Sequence, residues 1–249
     1  MSFRLPARLV GAAAPVGCLL LAGCGASFGM PEPASDQADS VLGLWSPTVV
    51  AALLVGCVVW SLTAWSVIRY RSRNNTLPTQ VAEHIPIEVA YTVVPVLIVI
   101  VLFAFGTLAQ RNVTERAADP DEVVEVIGFQ WSWRFSYEGR DVVVSGDGAG
   151  TRGPELVLPS DRTTRLKLVS DDVNHSFWVP RFLSKRDLIP GVRNELDVSP
   201  TDEGTFVGRC AEFCGLDHWR MSFRVRIVSP TEFEDWVATA AEADGGGGG

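Results

Sequence analysis

Two long stretches of the chain are almost free of charge. Leu44 to Ile68 carries no charged residue, and Ile87 to Leu108 carries only Glu88 as a charge. As a helix, each is long enough to cross a hydrocarbon core of about 30 Å. A buried helix pair in a globular core is the competing reading, but both runs are too long and too uniformly apolar for it. Gly56, Ser61, Thr63 and Ser66 suit packing against neighbouring helices, Trp45 and Trp65 stand where interfacial anchors are found, and Pro95 predicts a kink. Between the runs lies Arg69-Tyr70-Arg71-Ser72-Arg73. Positive loops stay in the cytoplasm, so the N-terminus and everything after Leu108 are expected outside.

From Val123 the pattern changes to period two, broken by Gly, Pro and Asp. Strands are predicted at Val123–Ile127, Gln130–Tyr137, Val142–Val144, Glu155–Leu158 and Thr163–Val169. Further strands are predicted at Phe177–Val179, Asn194–Val198, Thr205–Cys210 and Met221–Val228. About nine short strands with regular turns predict a Greek-key sandwich or barrel. Pro230 to Ala241 reads as a short amphipathic helix with Phe233, Trp236 and Val237 on one side, and Gly245 to Gly249 as a flexible end.

Before the first apolar run, Arg4 and Arg8 precede Leu9–Ala22, too short to span a bilayer and typical of an export signal. Leu21-Ala22-Gly23-Cys24 resembles a bacterial lipoprotein signal, which implies cleavage before Cys24 and its lipidation; an ordinary secretory signal is the alternative. Cys18 would leave with the signal and Cys57 lies in a span, so Cys210 and Cys214 are the thiols expected outside the membrane. The organisation expected is a signal peptide at 1–23, a polar tether at 24–43, a two-helix transmembrane hairpin at 44–110, an all-β domain at 111–237 and a flexible tail at 238–249. With 20% charged residues, a mean hydropathy of +0.19 fits membrane segments joined to a polar domain. The net charge of −8 excludes nucleic acid and electrostatic binding to anionic lipid, and suits a basic protein partner.

The chemistry concentrates in Cys210-Ala211-Glu212-Phe213-Cys214-Gly215-Leu216-Asp217-His218-Trp219-Arg220-Met221. Sulfur and imidazole donors in one loop favour copper over hard cations. A single blue copper needs one Cys; a second thiolate lets two sulfurs bridge two metals, with one imidazole for each. That requires another histidine, and among the three in the chain His175 is suitably placed, whereas His84 reads as a loop residue. A disulfide or a zinc site are the other readings of such residues.

The loop resembles the copper A loop of cytochrome c oxidase subunit II, whose pattern is Cys-x-Glu-x-Cys-x-x-x-His-x-x-Met. The resemblance covers about residues 44 to 237 and implies a cupredoxin fold. It implies that Cys210 and Cys214 bridge two coppers, that His175 and His218 take one each, and that Met221 and the Glu212 carbonyl are weak ligands. It further implies that the Glu212 carboxylate binds a magnesium or manganese shared with subunit I. Glu88-Val89-Ala90-Tyr91-Thr92-Val93-Val94-Pro95 is similar to the family's Glu-x-x-Trp-Thr-x-x-Pro, which puts Glu88 at the cytoplasmic mouth of a proton pathway. In Gln130-Trp131-Ser132-Trp133 the resemblance makes Trp131 the surface point where the electron arrives from cytochrome c. Phe129 replaces a usual His. Lys185 to Gly191 also matches a family segment, expected at the subunit I contact.

Asp171 and Asp172, with Asp119, Asp121, Glu122 and Glu125, are expected to form an acidic docking face for a basic cytochrome. An acidic position usual after the second Trp is missing, since Arg134, Phe135 and Ser136 stand there; this leaves room for a donor bound within a complex. Asp172, three before His175, either orients that imidazole or faces solvent.

The implied function is that of the electron-receiving subunit of a bacterial cell-membrane oxidase. Partners would be subunits I and III and a c-type cytochrome, with oxygen reduction and coupled proton pumping in the partner. A quinol oxidase subunit II would lack the six ligand positions. A tethered copper chaperone or storage protein would not need Trp131 or the Glu88 segment, and nitrous oxide reductase needs a second domain for which there is no room.

Overall fold

The computed structural model describes residues 27–71, 80–146 and 153–245. The export signal, Cys24, Ser72 and Arg73 of the basic loop, and Gly246 to Gly249 lie outside the described residues. Two long helices come first, α1 (Asp36–Arg69) and α2 (Ile85–Thr114). They are apolar on every side, and the central window of neither contains a buried residue. Side chains such as Trp60 and Phe103 are 75% exposed, a surface that water would not tolerate and a bilayer would. Leu44 and Pro47 of α1 face Phe105 and Leu108 of α2 across a cleft of about 440 Å³, so the helices run antiparallel.

The rest forms two packed five-stranded sheets. The strands are β1 (Glu122–Phe129), β2 (Ser132–Tyr137), β3 (Val142–Ser145), β4 (Glu155–Pro159), β5 (Thr164–Ser170), β6 (His175–Val179), β7 (Ser184–Leu188), β8 (Asn194–Val198), β9 (Gly204–Cys210) and β10 (Ser222–Val228). One sheet has the order β3-β2-β1-β5-β8 and the other β4-β10-β9-β6-β7. Pairing is antiparallel except for β1 with β5 and β4 with β10. Inward residues of both sheets meet in an aromatic core. Phe223 stacks on Phe177 at 4.9 Å between centroids and takes Trp133 edge-on at 5.0 Å. Tyr137 links the two sheets: its hydroxyl donates to Val157 O (2.9 Å) and accepts from Val157 N (2.8 Å). A final helix, α3 (Pro230–Gly245), covers one side with Phe233 and Val237 buried.

The expected two-helix hairpin followed by a Greek-key sandwich is the architecture found, with four differences. Ser184–Leu188 is a strand that the pattern does not reveal. It reads Ser-Lys-Arg-Asp-Leu at a sheet edge, where charged side chains replace alternation. The strand predicted at Phe177–Val179 begins two residues earlier, at His175. Residues 34–43 are not a free tether. Ser35 caps α1 by accepting from Ala38 N (3.2 Å), with Asp36 and Asp39 in the first turn, where the helix dipole favours acids. Residues 238–245 are helix instead of tail, with Ala240 and Ala241 packed on the core.

The end of β8 holds both membrane helices. Asp36 N donates to Ser199 O (3.1 Å) and Ser199 N donates to the Gln37 side chain (3.0 Å), while Ala34 N reaches Arg181 O (2.9 Å). After α2, Ala117 N donates to Asp197 Oδ2 (2.8 Å) and Ala117 O accepts from Arg165 Nη2 (2.6 Å). Arg165 and Asp197 themselves pair through two bonds of 2.8 Å.

Candidate metal centre

The β9–β10 connection carries the chemistry. Cys210 ends β9, and its N–H donates to Met221 O (2.9 Å), closing the base of the loop just before β10. His175 stands at the start of β6, the neighbour of β9, and Ala211 N bonds Ser176 O (3.0 Å), so the loop lies against that strand end. Gly215 has φ +119°, and a Cβ there would lie 3.2 Å from Trp131 Nε1; only glycine suits both constraints.

This folding gathers the six donors expected from the sequence. The Cys210 and Cys214 sulfurs are 3.9 Å apart. Both are free thiols, whereas a disulfide would need about 2.0 Å. His175 Nδ1 is 3.8 Å from Cys210 Sγ, and His218 Nδ1 is 3.6 Å from Cys214 Sγ. Met221 Sδ is 3.6 Å from Cys214 Sγ, and Glu212 O is 3.2 Å from Cys210 Sγ. The donor atoms of His175, Cys210 and Cys214 all lie within 4.8 Å of one another. A metal holding thiolate at about 2.3 Å and imidazole at about 2.0 Å with tetrahedral angles sets S···N near 3.5 Å and S···S near 3.8 Å. The observed spacings fit that requirement. Six donors exceed the four of a closed tetrahedral site, so the set suits two metals sharing the sulfur pair.

Burial grades the donors. His175 and Met221 are inaccessible, Cys210 and Cys214 nearly so, and His218 is half-buried. Burial opposes ionisation of Cys210, but its bonds with His175 and with the backbone at Glu212 and Ser176 outweigh this and bring the thiol down to about 7. Burial, then the neighbouring Cys210 charge, push Cys214 up to about 12. The cluster therefore favours one thiolate over two, and a bound cation would supply the charge that stabilises both.

Asp172 orients the buried imidazole. Its Oδ1 accepts from His175 Nε2 (2.8 Å), which fixes the proton on Nε2 and leaves Nδ1 toward the sulfurs. Burial lowers the His175 basicity, yet Cys210 and Asp172 raise it overall. Asp172 also accepts from Gln130 N (2.7 Å) and Val173 N (2.6 Å), and despite its burial these partners hold its carboxyl below the usual range. Gly128 lets the β1 backbone approach the ring, since a Cβ would lie 3.2 Å from it. The β1–β2 turn is joined to the loop on its other side. Gln130 Nε2 (2.8 Å) and Trp131 Nε1 (3.2 Å) both donate to Cys214 O. Trp131 is thus a half-buried turn residue, one short of the strand predicted to include it. The sequence pattern runs the strand through Gln130 and carries no sign of its bond to Cys214 O.

The remaining expected residues are dispersed. Asp171 is half-exposed at the metal end, 3.9 Å from Arg134. Glu122 begins β1, just after Asp121, and about 3.3 Å per residue puts Glu122 about 23 Å from Phe129. Glu122 is buried against Arg140, and Asp121 accepts from Thr163 N (2.8 Å). A continuous acidic face joining these residues to Asp171 and Asp172 is therefore not formed. Glu88 lies in the first turn of α2, away from the metal cluster, and accepts from His84 N (2.9 Å). The Glu212 side chain is exposed.

Comparison with known proteins joins these observations. Residues 24–108 match the family described as cytochrome c oxidase subunit II, transmembrane domain, and residues 152–228 the periplasmic domain of the same subunit. A probable cytochrome c oxidase subunit 2 of Streptomyces avermitilis is 39% identical over 253 residues, covering 86% of this chain and 79% of that protein. The chain belongs to the cytochrome c oxidase subunit II family. A subunit 2 of Mycobacterium bovis is 32% identical, covering 92% of this chain and 81% of that protein. The crystallised periplasmic domain of subunit II from Bradyrhizobium japonicum is 31% identical and covers 51% of this chain and 99% of that one, with a TM-score of 0.47. As a subunit II the chain is a membrane protein with an extracytoplasmic domain and part of an oxidase.

Proposed function

We propose that this subunit II receives electrons from cytochrome c at a dinuclear copper A centre and passes them to haem in subunit I, where oxygen is reduced with coupled proton pumping. The observation that carries this reading is the pair of unbonded sulfurs 3.9 Å apart, each faced by its own imidazole nitrogen. Copper A, when bound, supplies a one-electron acceptor and donor. Cys210, Cys214, His175 and His218 would hold it, with Met221 and the Glu212 carbonyl as weak ligands. The sheets hold these groups still while charge changes: His175 is fixed by Asp172, and Cys214 by the two side chains bonded to its carbonyl. Burial of Met221 and both sulfurs keeps water from the sulfur pair. Trp131, bonded to the Cys214 carbonyl, receives the electron from the donor's haem edge.

Both helices cross the membrane, with residues 70–84 in the cytoplasm, Glu88 at the mouth of a proton pathway, and Cys24 as a lipid anchor. The exposed Glu212 carboxylate suits a magnesium or manganese shared with subunit I, an oxygen site that water would complete. Subunit III is a further partner. Metal analysis of the purified chain after copper loading tests the proposal. Two coppers per chain are expected, and Cys214→Ser should not retain both. One metal per chain, or a preference for zinc, would refute it.

A further inference from the structure

The outward side of the second sheet carries a cationic cluster that the metal site does not use. Arg209 of β9 stands opposite Trp178 of β6 on one side and Ser222 of β10 on the other, and Val207 stands opposite Arg224. Residues directly opposite share a face, and diagonal neighbours such as Arg209 and Arg224 lie about 7–8 Å apart. Arg226 follows Arg224 on the same face of β10. Three guanidiniums are thus crowded together in a chain of net charge −8, and like charges among sheet neighbours weaken the pairing. The two carboxylates that answer them both serve Arg226, Glu155 at 3.0 Å and Glu232 at 2.9 Å. Glu155 is also 3.4 Å from Arg224 Nε, which is buried yet makes no hydrogen bond. The exposed Arg209 side chain has no ion pair or hydrogen bond among the described residues. Val207, Arg209, Trp219, Ser222 and Arg224 line a cleft of about 290 Å³. Beside the cations, Val207 is 51% exposed and Trp178 37%.

We infer that another extracytoplasmic chain of the oxidase inserts an aspartate or glutamate side chain between Arg209 and Arg224, and lays an apolar neighbour over Val207 and Trp178. A guanidinium grips a carboxylate through paired N–H donors, and a buried donor without a partner gains most from being satisfied. The position favours a protein over a lipid headgroup. The membrane helices are fastened at Ser199 to Thr201, just before β9, and Arg209 stands five residues beyond Gly204, about 17 Å along that strand. The surface is also separate from Trp131, which belongs to the β1–β2 turn of the other sheet. The inference rests on membership of an oxidase assembly and needs no copper.

The test uses the assembled oxidase in its membrane. Val207→benzoylphenylalanine places a photoreactive ketone at the cleft; after illumination and purification, mass spectrometry identifies the joined peptide. A peptide of another subunit, with an aspartate or glutamate beside the joined position, is expected. Arg209→Glu on this background should lower the yield at least roughly tenfold, because facing like charges repel across an interface. Arg209 precedes Cys210, so Arg224→Glu, on the neighbouring strand, repeats the test away from the metal loop and should lower the yield similarly. Arg209→Lys keeps the charge and should retain most of the yield. Capture of a lipid, of residues 147–152 of this chain, or of a peptide without an acid beside the joined position would overturn the inference. So would no capture, an undiminished yield in either glutamate variant, or an equal loss in Arg209→Lys. Failure of the copper proposal is distinct: it shows in the metal content of the wild-type chain and leaves the captured peptide unchanged.

Discussion

Replacing Asp197 by Ala tests how the membrane helices are fastened to the metal domain. The Asp197 side chain is 2% exposed and Arg165 17%, so their pairing is screened little by water. Asp197 receives two bonds of 2.8 Å from Arg165 and one of 2.8 Å from Ala117 N. Truncation leaves a buried guanidinium without its counter-charge, which costs about 3–5 kcal/mol in comparable pairs. Partial water access to Arg165 favours the lower end, about 3 kcal/mol. For a domain of this size that is a fall of roughly 10 °C in Tm. Asp197→Asn keeps an acceptor for Ala117 and should cost about 1–2 kcal/mol. The double variant Arg165→Met with Asp197→Leu removes both charges but orphans Ala117 N–H and C=O, so it should recover only part of the loss. Thermal unfolding in detergent followed by near-ultraviolet circular dichroism measures each, and limited proteolysis near Ala117 reports loosening of the junction. A shift below about 1 °C in Asp197→Ala, or full recovery in the double variant, would refute the reasoning.

Other consequences are equally direct. Asp172→Asn should weaken copper binding about tenfold to a hundredfold, measured by chelator competition, because the carboxylate that fixes His175 loses its charge; unchanged affinity would contradict the orienting role. Burial holds the Tyr137 proton, raising its pKa well above the usual tyrosine range. The folded domain therefore keeps a proton that the unfolded chain releases above about pH 10, so stability falls as pH rises past that point. In the soluble domain, where Tyr137 is the only tyrosine, phenolate absorbance should appear together with unfolding; phenolate in the folded state would be the contrary result. Glu88→Ala should slow oxygen turnover at saturating donor while leaving copper content unchanged, and full turnover would remove Glu88 from the proton pathway.

The sequence revealed most where one rule governed a segment. Charge-free runs defined the two helices, period-two alternation located the strands of both sheets, and Cys210 to Met221 named the donors of one loop. It failed where a tertiary contact decides. Ser184–Leu188 has no alternation because its partner lies on one side only. Ala34 to Gln37 looked like polar tether because its hydrogen bonds go to residues about 160 positions away. The acids at the start of β1 belong to no face with Asp171, because the strand predicted at Val123–Ile127 extends to Phe129 and its length keeps them apart. Asp172 was read two ways, and its bond to His175 Nε2 decides for orientation.

Electron paramagnetic resonance of the copper-loaded, partly oxidised chain addresses the central claim most directly. One unpaired electron shared equally by two coppers through Cys210 and Cys214 gives a hyperfine pattern with more lines than a single copper can produce, and that pattern is the expected result. The simpler pattern of an isolated copper, or no copper signal at all, would contradict the account.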